Sequence, residues 1–206
     1  YSPTSEQGKV TKSTPQGSVD YAFNPVSVAL GAEATFVARA IDSDRKHLTE
    51  VLRAAAAHEG SALVEIYQNC NIFNDGAWEP LKENDVREDN LIRLEHGQPI
   101  IFGNQQDKCV IRDIDGHLQV KDITEVDQSE IIIFDAHAKD PGLAFGLSRL
   151  YNPRTLTNTP IGIFRDVTHR EAYDRMAQQQ VADVIAAEGP GDLRTLLHGS
   201  DTWTVS

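Results

Sequence analysis

The stretch that most constrains the fold is Thr35 to Tyr67, where two short apolar runs flank a patterned helix. The first run carries Phe36, Val37, Ala38 and Ala40 and reads as a strand. Asp42-Ser43-Asp44 then caps a helix whose Leu48, Val51, Leu52 and Ala55 follow the i, i+3, i+4, i+7 spacing of one buried face. Gly60 is expected to stop that helix in a left-handed cap. The second run, Ala62-Leu63-Val64-Glu65-Ile66-Tyr67, is almost continuously apolar, which predicts a strand buried on both faces. Strand, helix and strand make one βαβ unit with a right-handed crossover, so the class is α/β with a parallel sheet. The second strand delivers Cys70 just past its carboxyl end, the edge at which open α/β sheets bind ligands.

The rest of the chain reads around that unit. Residues 1–23 are polar and irregular, a loop whose hydroxyls and N–H groups could hold phosphate oxygens. Asn24-Pro25 starts a short helix, with Asn24 as its cap and Pro25 at the first helical position. Trp78 anchors the loop after Cys70. Residues 84–90 turn strongly charged, and a β region follows, with strands expected at Pro99–Gly103 and Lys108–Arg112. Asp115-Gly116 marks a hairpin turn. Asp113-Ile114-Asp115-Gly116 lacks the rest of a calcium loop, and the turn explains it. The last part returns to α/β, with a buried strand at Ile131–Phe134, a helix after Asp140-Pro141 and a strand at Pro160–Phe164. A long helix is expected over Glu171–Ala187, then a short amphipathic turn with Leu193, Leu196 and Leu197. Cys109 falls inside a strand and reads as structural. Asp135 and His137 have no third ligand in sight. His58 and His198 lie near helix C-termini, where a cation offsets the dipole.

Charge and cysteine usage exclude several classes. With 19 Lys+Arg against 31 Asp+Glu the formal charge is -12, which opposes nucleic acid and anionic membrane surfaces. No apolar run approaches the roughly 18 residues of a membrane span. Two cysteines and no signal-like segment point to a reducing, cytoplasmic compartment. Two thiolates cannot hold a cubane cluster alone, because it needs four. Dinucleotide, Walker, HExxH and GxSxG motifs are absent.

The string Gln68-Asn69-Cys70-Asn71-Ile72-Phe73-Asn74-Asp75-Gly76, with the opening Tyr1-Ser2-Pro3-Thr4-Ser5, resembles the thiamine-diphosphate-binding beta subunit of 2-oxoacid:ferredoxin oxidoreductases. It is most similar to the 2-oxoglutarate branch, since pyruvate-type relatives tend to place prolines around this cysteine. The resemblance implies that residues 1–84 are the C-terminal part of a thiamine-diphosphate-binding α/β domain. It implies that residues 85–206 are an extension, a β hairpin region then α/β, packing on a partner subunit. The reaction implied is oxidative decarboxylation of 2-oxoglutarate with coenzyme A to succinyl-CoA and carbon dioxide, with electrons passed through a 4Fe-4S cluster to ferredoxin. Cys70 would be the fourth thiolate of that cluster, Asn69 and Asn71 donors near its sulfurs, and Ser2 and Thr4 part of the cofactor site. The magnesium and diphosphate elements and three further cysteines would lie upstream, in a longer chain. An alpha subunit is the expected partner. The alternatives are a pyruvate or other 2-oxoacid:ferredoxin oxidoreductase beta subunit, or a non-catalytic assembly subunit in which Cys70 is only buried.

Overall fold

The computed structural model describes every residue except Tyr1, Phe73, Thr204 and Ser206. Tyr1 and Phe73, which belong to the two recognised strings, therefore lie outside the described residues.

The chain folds as α/β around a four-stranded mixed sheet. In chain order the elements of its first half are α1 (Pro25–Gly31), β1 (Phe36–Ile41), α2 (Arg45–Ala57) and β2 (Ala62–Tyr67). Next come α3 (Arg87–Asn90), β3 (Leu91–Leu94), β4 (Ile101–Phe102), β5 (Lys108–Arg112) and β6 (Leu118–Asp122). The order closes with α4 (Gly142–Ser148), β7 (Thr159–Asp166), α5 (Tyr173–Glu188) and α6 (Leu193–His198).

β1 and β2 pair in parallel, as the βαβ reading requires, and the register sets Arg39 opposite Glu65. The other neighbour of β1 is β7, which runs antiparallel to it, and β3 then joins β7 in parallel. The sheet order is β2-β1-β7-β3. One sequence expectation changes as a result. β1 is the fully buried strand, while β2 lies at the sheet edge and buries only Tyr67 outright. The neighbour of β1 comes from far along this same chain. β3 and β7 share a sheet with β1 and β2, and the compact units are Tyr1–Arg170 and Glu171–Ser206.

Each face of the sheet is covered in turn. α1, α4 and the smaller sheet pack on one face through Val26, Leu30, Leu147, Phe102 and Val110 against Val37, Ile92 and Phe164. The cap of α1 is as expected: Asn24 Oδ1 accepts from Ser27 N, and Pro25 opens the helix. On the other face Leu48 and Val51 of α2 meet Phe36, Ala38 and Ala40. α2 ends at Ala57 with His58 as an extended cap, so Gly60 is not its stop. The His58 side chain is buried, with Nδ1 2.9 Å from Asp166 Oδ1 and Nε2 2.9 Å from Thr35 Oγ1. It ties helix, β1 and β7 together and does not sit in water at a helix end. Gly162 of β7 has φ +113, and a Cβ there would lie 2.9 Å from Leu94 O, so only glycine lets β3 approach this closely.

The smaller sheet, β4-β5-β6, is antiparallel, and Asp113 to Gly116 makes its hairpin turn. The run expected as a buried strand at Ile131–Phe134 instead makes isolated bridges to Pro99 and Ile111, with Ile133 exposed. Cys109 is wholly buried beside Ile111 and Ile131, in keeping with a structural role.

The second unit contains α5 and α6, and none of their residues is buried. Tyr173, Met176, Val181, Val184 and Ile185 form an exposed apolar stripe, and Leu193, Leu196 and Leu197 another. No helix among the described residues is long and apolar enough to cross a membrane.

Candidate functional site

β1 and β2 end side by side, and the backbone is pinned there by Asp42 N donating to Tyr67 O. The loop from Gln68 to Trp78 then folds back on itself. Asn74 N donates to Cys70 O at 2.9 Å, Gly76 N to Asn69 Oδ1 at 2.9 Å, and Trp78 Nε1 to Gln68 O at 3.0 Å. The indole lies flat on Tyr67, with centroids 3.9 Å apart and planes 8° apart. Trp78 thus packs the loop down, as its lone bulk in a polar segment suggests. Asn69 N donates to Asp42 Oδ2, and Asp42 is paired with Lys82 at 2.9 Å. Burial alone would raise the Asp42 carboxyl, but Lys82 and the Asn69 N–H outweigh it and hold the group below its ordinary range.

Cys70 is half-buried at the start of this closed loop. The carboxamide of Asn69 donates to Asn71 Oδ1 at 2.7 Å and to Asp75 Oδ1 at 2.8 Å. Asn69, with Asn71 as one of its acceptors, therefore braces the loop.

Ser2 and Thr4 lie together, their hydroxyls 3.1 Å apart, and Ser5 Oγ is 3.2 Å from Ser2 Oγ. With Glu65, Tyr67, Asn74 and Trp78 they line a cavity of about 130 Å³. The structure thus brings Ser2 and Thr4 onto the loop that follows Cys70, although Cys70 itself is not in the cavity wall. Tyr151 and Arg154 line it as well.

Glu65 of this lining is one half of an ion pair. Arg39 Nε donates to Glu65 Oε2 at 2.6 Å, with the guanidinium wholly buried and Glu65 14% exposed. Arg39 also donates to Pro160 O and lies over the rings of Tyr67 and Tyr151 at 5.1 and 5.3 Å. Burial, only partly offset by Arg39, pushes the Tyr67 phenol far above its ordinary 10.0, so it stays neutral. Reading the strands singly misses this pair. The signal is there once FVARAI and ALVEIY are aligned, because the lone cation and the lone anion fall at the same register.

A second cavity, of about 480 Å³, lies between the first turn of α2 and the strands β3 and β7. His137 lines it and Asp135 does not. Asp135 Oδ1 accepts from His137 N, and His137 Nδ1 contacts Asp166 O. Asp113, Asp115 and His117 cluster in the hairpin, but the Asp113 carboxylate already accepts from two turn N–H groups and from Gln119. That is the work of a turn.

The fold and site define an α/β chain presenting one cysteine on a braced loop beside a hydroxyl-lined cavity. No protein-family model matches the chain. Over its whole length it is 55% identical to the 2-oxoglutarate oxidoreductase subunit KorB of Mycobacterium tuberculosis, of which it covers 54%. Over 74 residues it is 40% identical to a 2-oxoacid:ferredoxin oxidoreductase subunit beta of Sulfolobus, covering 36% of this chain and 24% of that one. Among solved structures it is similar to the 2-oxoglutarate:ferredoxin oxidoreductase from Magnetococcus marinus with 2-oxoglutarate, coenzyme A and succinyl-CoA bound. That likeness has a TM-score of 0.59 at 20% identity and covers 98% of this chain and 53% of the other, and it bears on the fold alone. Over its whole length the chain is similar to a beta subunit of the 2-oxoacid:ferredoxin oxidoreductases, and it spans about half the length of that KorB relative.

Proposed function

We propose that this chain supplies the fourth cysteine of a 4Fe-4S cluster and one wall of the thiamine-diphosphate site in a 2-oxoglutarate:ferredoxin oxidoreductase. The observation that carries the reading is the placement of Cys70: half-buried after the end of β2, on a loop closed by its own hydrogen bonds and shared with the Ser2 and Thr4 cavity. The donor set fits a cluster completed from elsewhere. Cys109 is sealed in the smaller sheet, its Sγ 3.7 Å from Lys121 O, so this chain offers one thiolate and the remaining three come from the rest of the subunit.

Bound thiamine diphosphate, with Mg2+ on its diphosphate, would serve as the electron sink for decarboxylating 2-oxoglutarate, and the cluster would take the electrons singly toward ferredoxin as coenzyme A receives the succinyl group. The chain's own part is to orient and exclude water. Ser2 and Thr4 offer hydroxyls to the cavity, Glu65 adds a carboxylate that Arg39 holds in place, and the stacked Tyr67 and Trp78 add an aromatic wall. Preference for 2-oxoglutarate rests on the 55% identity to KorB and on the asparagines about Cys70. Residues 1–84 form the part that faces the cofactors. An alpha subunit covers the apolar stripes of residues 171–206, and the complex works in the cytoplasm, where thiolates stay reduced.

Iron and acid-labile sulfide in the anaerobically purified native complex test this. Cys70→Ala should remove about one cubane cluster and Cys109→Ala none. Unchanged iron in Cys70→Ala would make Cys70 a packing residue and move the chain to an assembly role.

A further inference from the structure

We infer that Lys9 is a positioning residue for the cysteine loop, coupling the cavity-lining segment to Cys70 and setting the local charge there; the inference rests on the cluster reading of Cys70. Lys9 Nζ hydrogen-bonds Asn74 Oδ1, across 65 residues of sequence, and the contact is part-buried. Asn74 in turn donates its N–H to Cys70 O at 2.9 Å. One side chain thus joins the segment bearing Ser2 and Thr4 to the residue that closes the turn on Cys70.

The cation is held in place from its own side as well. Lys9 N donates to Glu6 O, and Lys9 O accepts from Ser18 N and from Thr14 Oγ1, both at 3.0 Å. A Cβ on Gly17 would lie 2.8 Å from Gly8 O, so the two strands of this small turn touch at the backbone next to Lys9. The opening segment is therefore a hydrogen-bonded brace. Glu6 Oε1, 3.1 Å from Nζ, balances the charge of Lys9.

A charge-assisted bond to an amide oxygen is stronger than a neutral one. Charge and hydrogen bonding around the sulfurs tune the potential of an iron–sulfur cluster. Removing the ammonium leaves Glu6 unbalanced beside the loop and makes the local charge more negative by one. Reduction of the cluster adds a further negative charge and becomes harder.

The test is an EPR-monitored redox titration of the anaerobically purified complex, with iron content measured alongside. Lys9→Met should keep the cluster and shift its potential to more negative values, Lys9→Arg should restore it, and Glu6→Gln should shift it the opposite way. Loss of iron in Lys9→Met with retention in Lys9→Arg also supports the assignment, because only the cation separates those variants. A full cluster with an unmoved potential in Lys9→Met, or equal effects of Met and Arg, overturns it. A wild-type complex without iron would fail the cluster reading itself, which is a different result from a wild-type cluster that Lys9 does not move.

Discussion

Arg39 and Glu65 stand opposite each other on parallel strands, Nε to Oε2 at 2.6 Å, and Glu65 lines the cavity that Ser2 and Thr4 share with Asn74 and Trp78. The guanidinium has no exposure to water, and its remaining donors reach Pro160 O and Asn24 Oδ1. The pair therefore joins β1, β2, β7 and the cap of α1 at one point.

Breaking this pair from the two sides should not cost the same. Arg39→Met strands the Glu65 carboxylate in a largely buried setting, and losing one partner of a buried pair costs about 3–5 kcal/mol. Glu65→Gln keeps a hydrogen-bond acceptor toward Arg39, and its loss should be nearer about 1–3 kcal/mol. Urea unfolding of both variants measures the difference. Equal destabilisation would mean that Glu65 is solvated well enough to stand alone.

Trp78 holds the cysteine loop through two separable contacts, its stack on Tyr67 and its N–H to Gln68 O. Trp78→Phe keeps the first and loses the second, for about 1 kcal/mol. Trp78→Ala loses both, for about 2 kcal/mol. If the loop opens as a unit, hydrogen exchange at Asn74 and Gly76 should quicken roughly fivefold in the first variant and thirtyfold in the second. Unchanged exchange in Trp78→Ala would show that the Asn69 hydrogen bonds close the loop unaided.

What the sequence made legible was local. The Asn24-Pro25 cap, the βαβ unit over 35–67 and the Asp115-Gly116 hairpin each depend on residues close in the chain, and the structure has all three. What it hid depends on β7. Pro160–Phe164 looks like any buried strand, and nothing local says that it returns antiparallel to β1 more than a hundred residues earlier. His58 reads as a helix-end cation until Asp166 arrives from β7 to bury it against Thr35. β2 has the composition of an inner strand, yet its neighbour on one side alone lies within the described residues. In the site, Cys70 stood out by type and context, whereas Lys9 and Asn74 are ordinary polar residues whose meaning is their contact.

Arg93 gives the structure a pH dependence of definite sign. It donates to Glu88 at 3.0 Å and to Asp44 at 3.0 Å. The Arg93 hydrogen bond holds Glu88 below its ordinary 4.5. Burial would raise Asp44, but the His47 N–H and Arg93 outweigh it and hold Asp44 below 3.8. Both folded pKa values are depressed, so the unfolded chain binds more protons in acid. The stabilisation is complete above the unfolded values and is lost as the pH falls through 4.5 and then 3.8 toward the folded ones. Arg93→Gln should flatten the fall in melting temperature over that window. A variant that melts in parallel with wild type from neutral pH down would sink the linkage.

The apolar stripe of α5 offers the sharpest test of a partner subunit. Val184 and Ile185 are 51% and 47% exposed, so covering what remains of the two side chains is worth about 1.5–3 kcal/mol. An interface built on them should weaken at least about tenfold when both become Glu, since each tenfold is about 1.4 kcal/mol. Neither residue is buried within its own unit, so α5 should stay helical and the difference should be confined to association. Ala186→Glu, which 3.6 residues per turn set about 160° from Val184 and about 100° from Ile185, is the control off the stripe. Co-purification of a tagged alpha subunit with each variant, alongside circular dichroism, reads both quantities. If Val184→Glu/Ile185→Glu retains the alpha subunit as well as Ala186→Glu does, the stripe is not the docking face, and the contacts must be sought on the first unit.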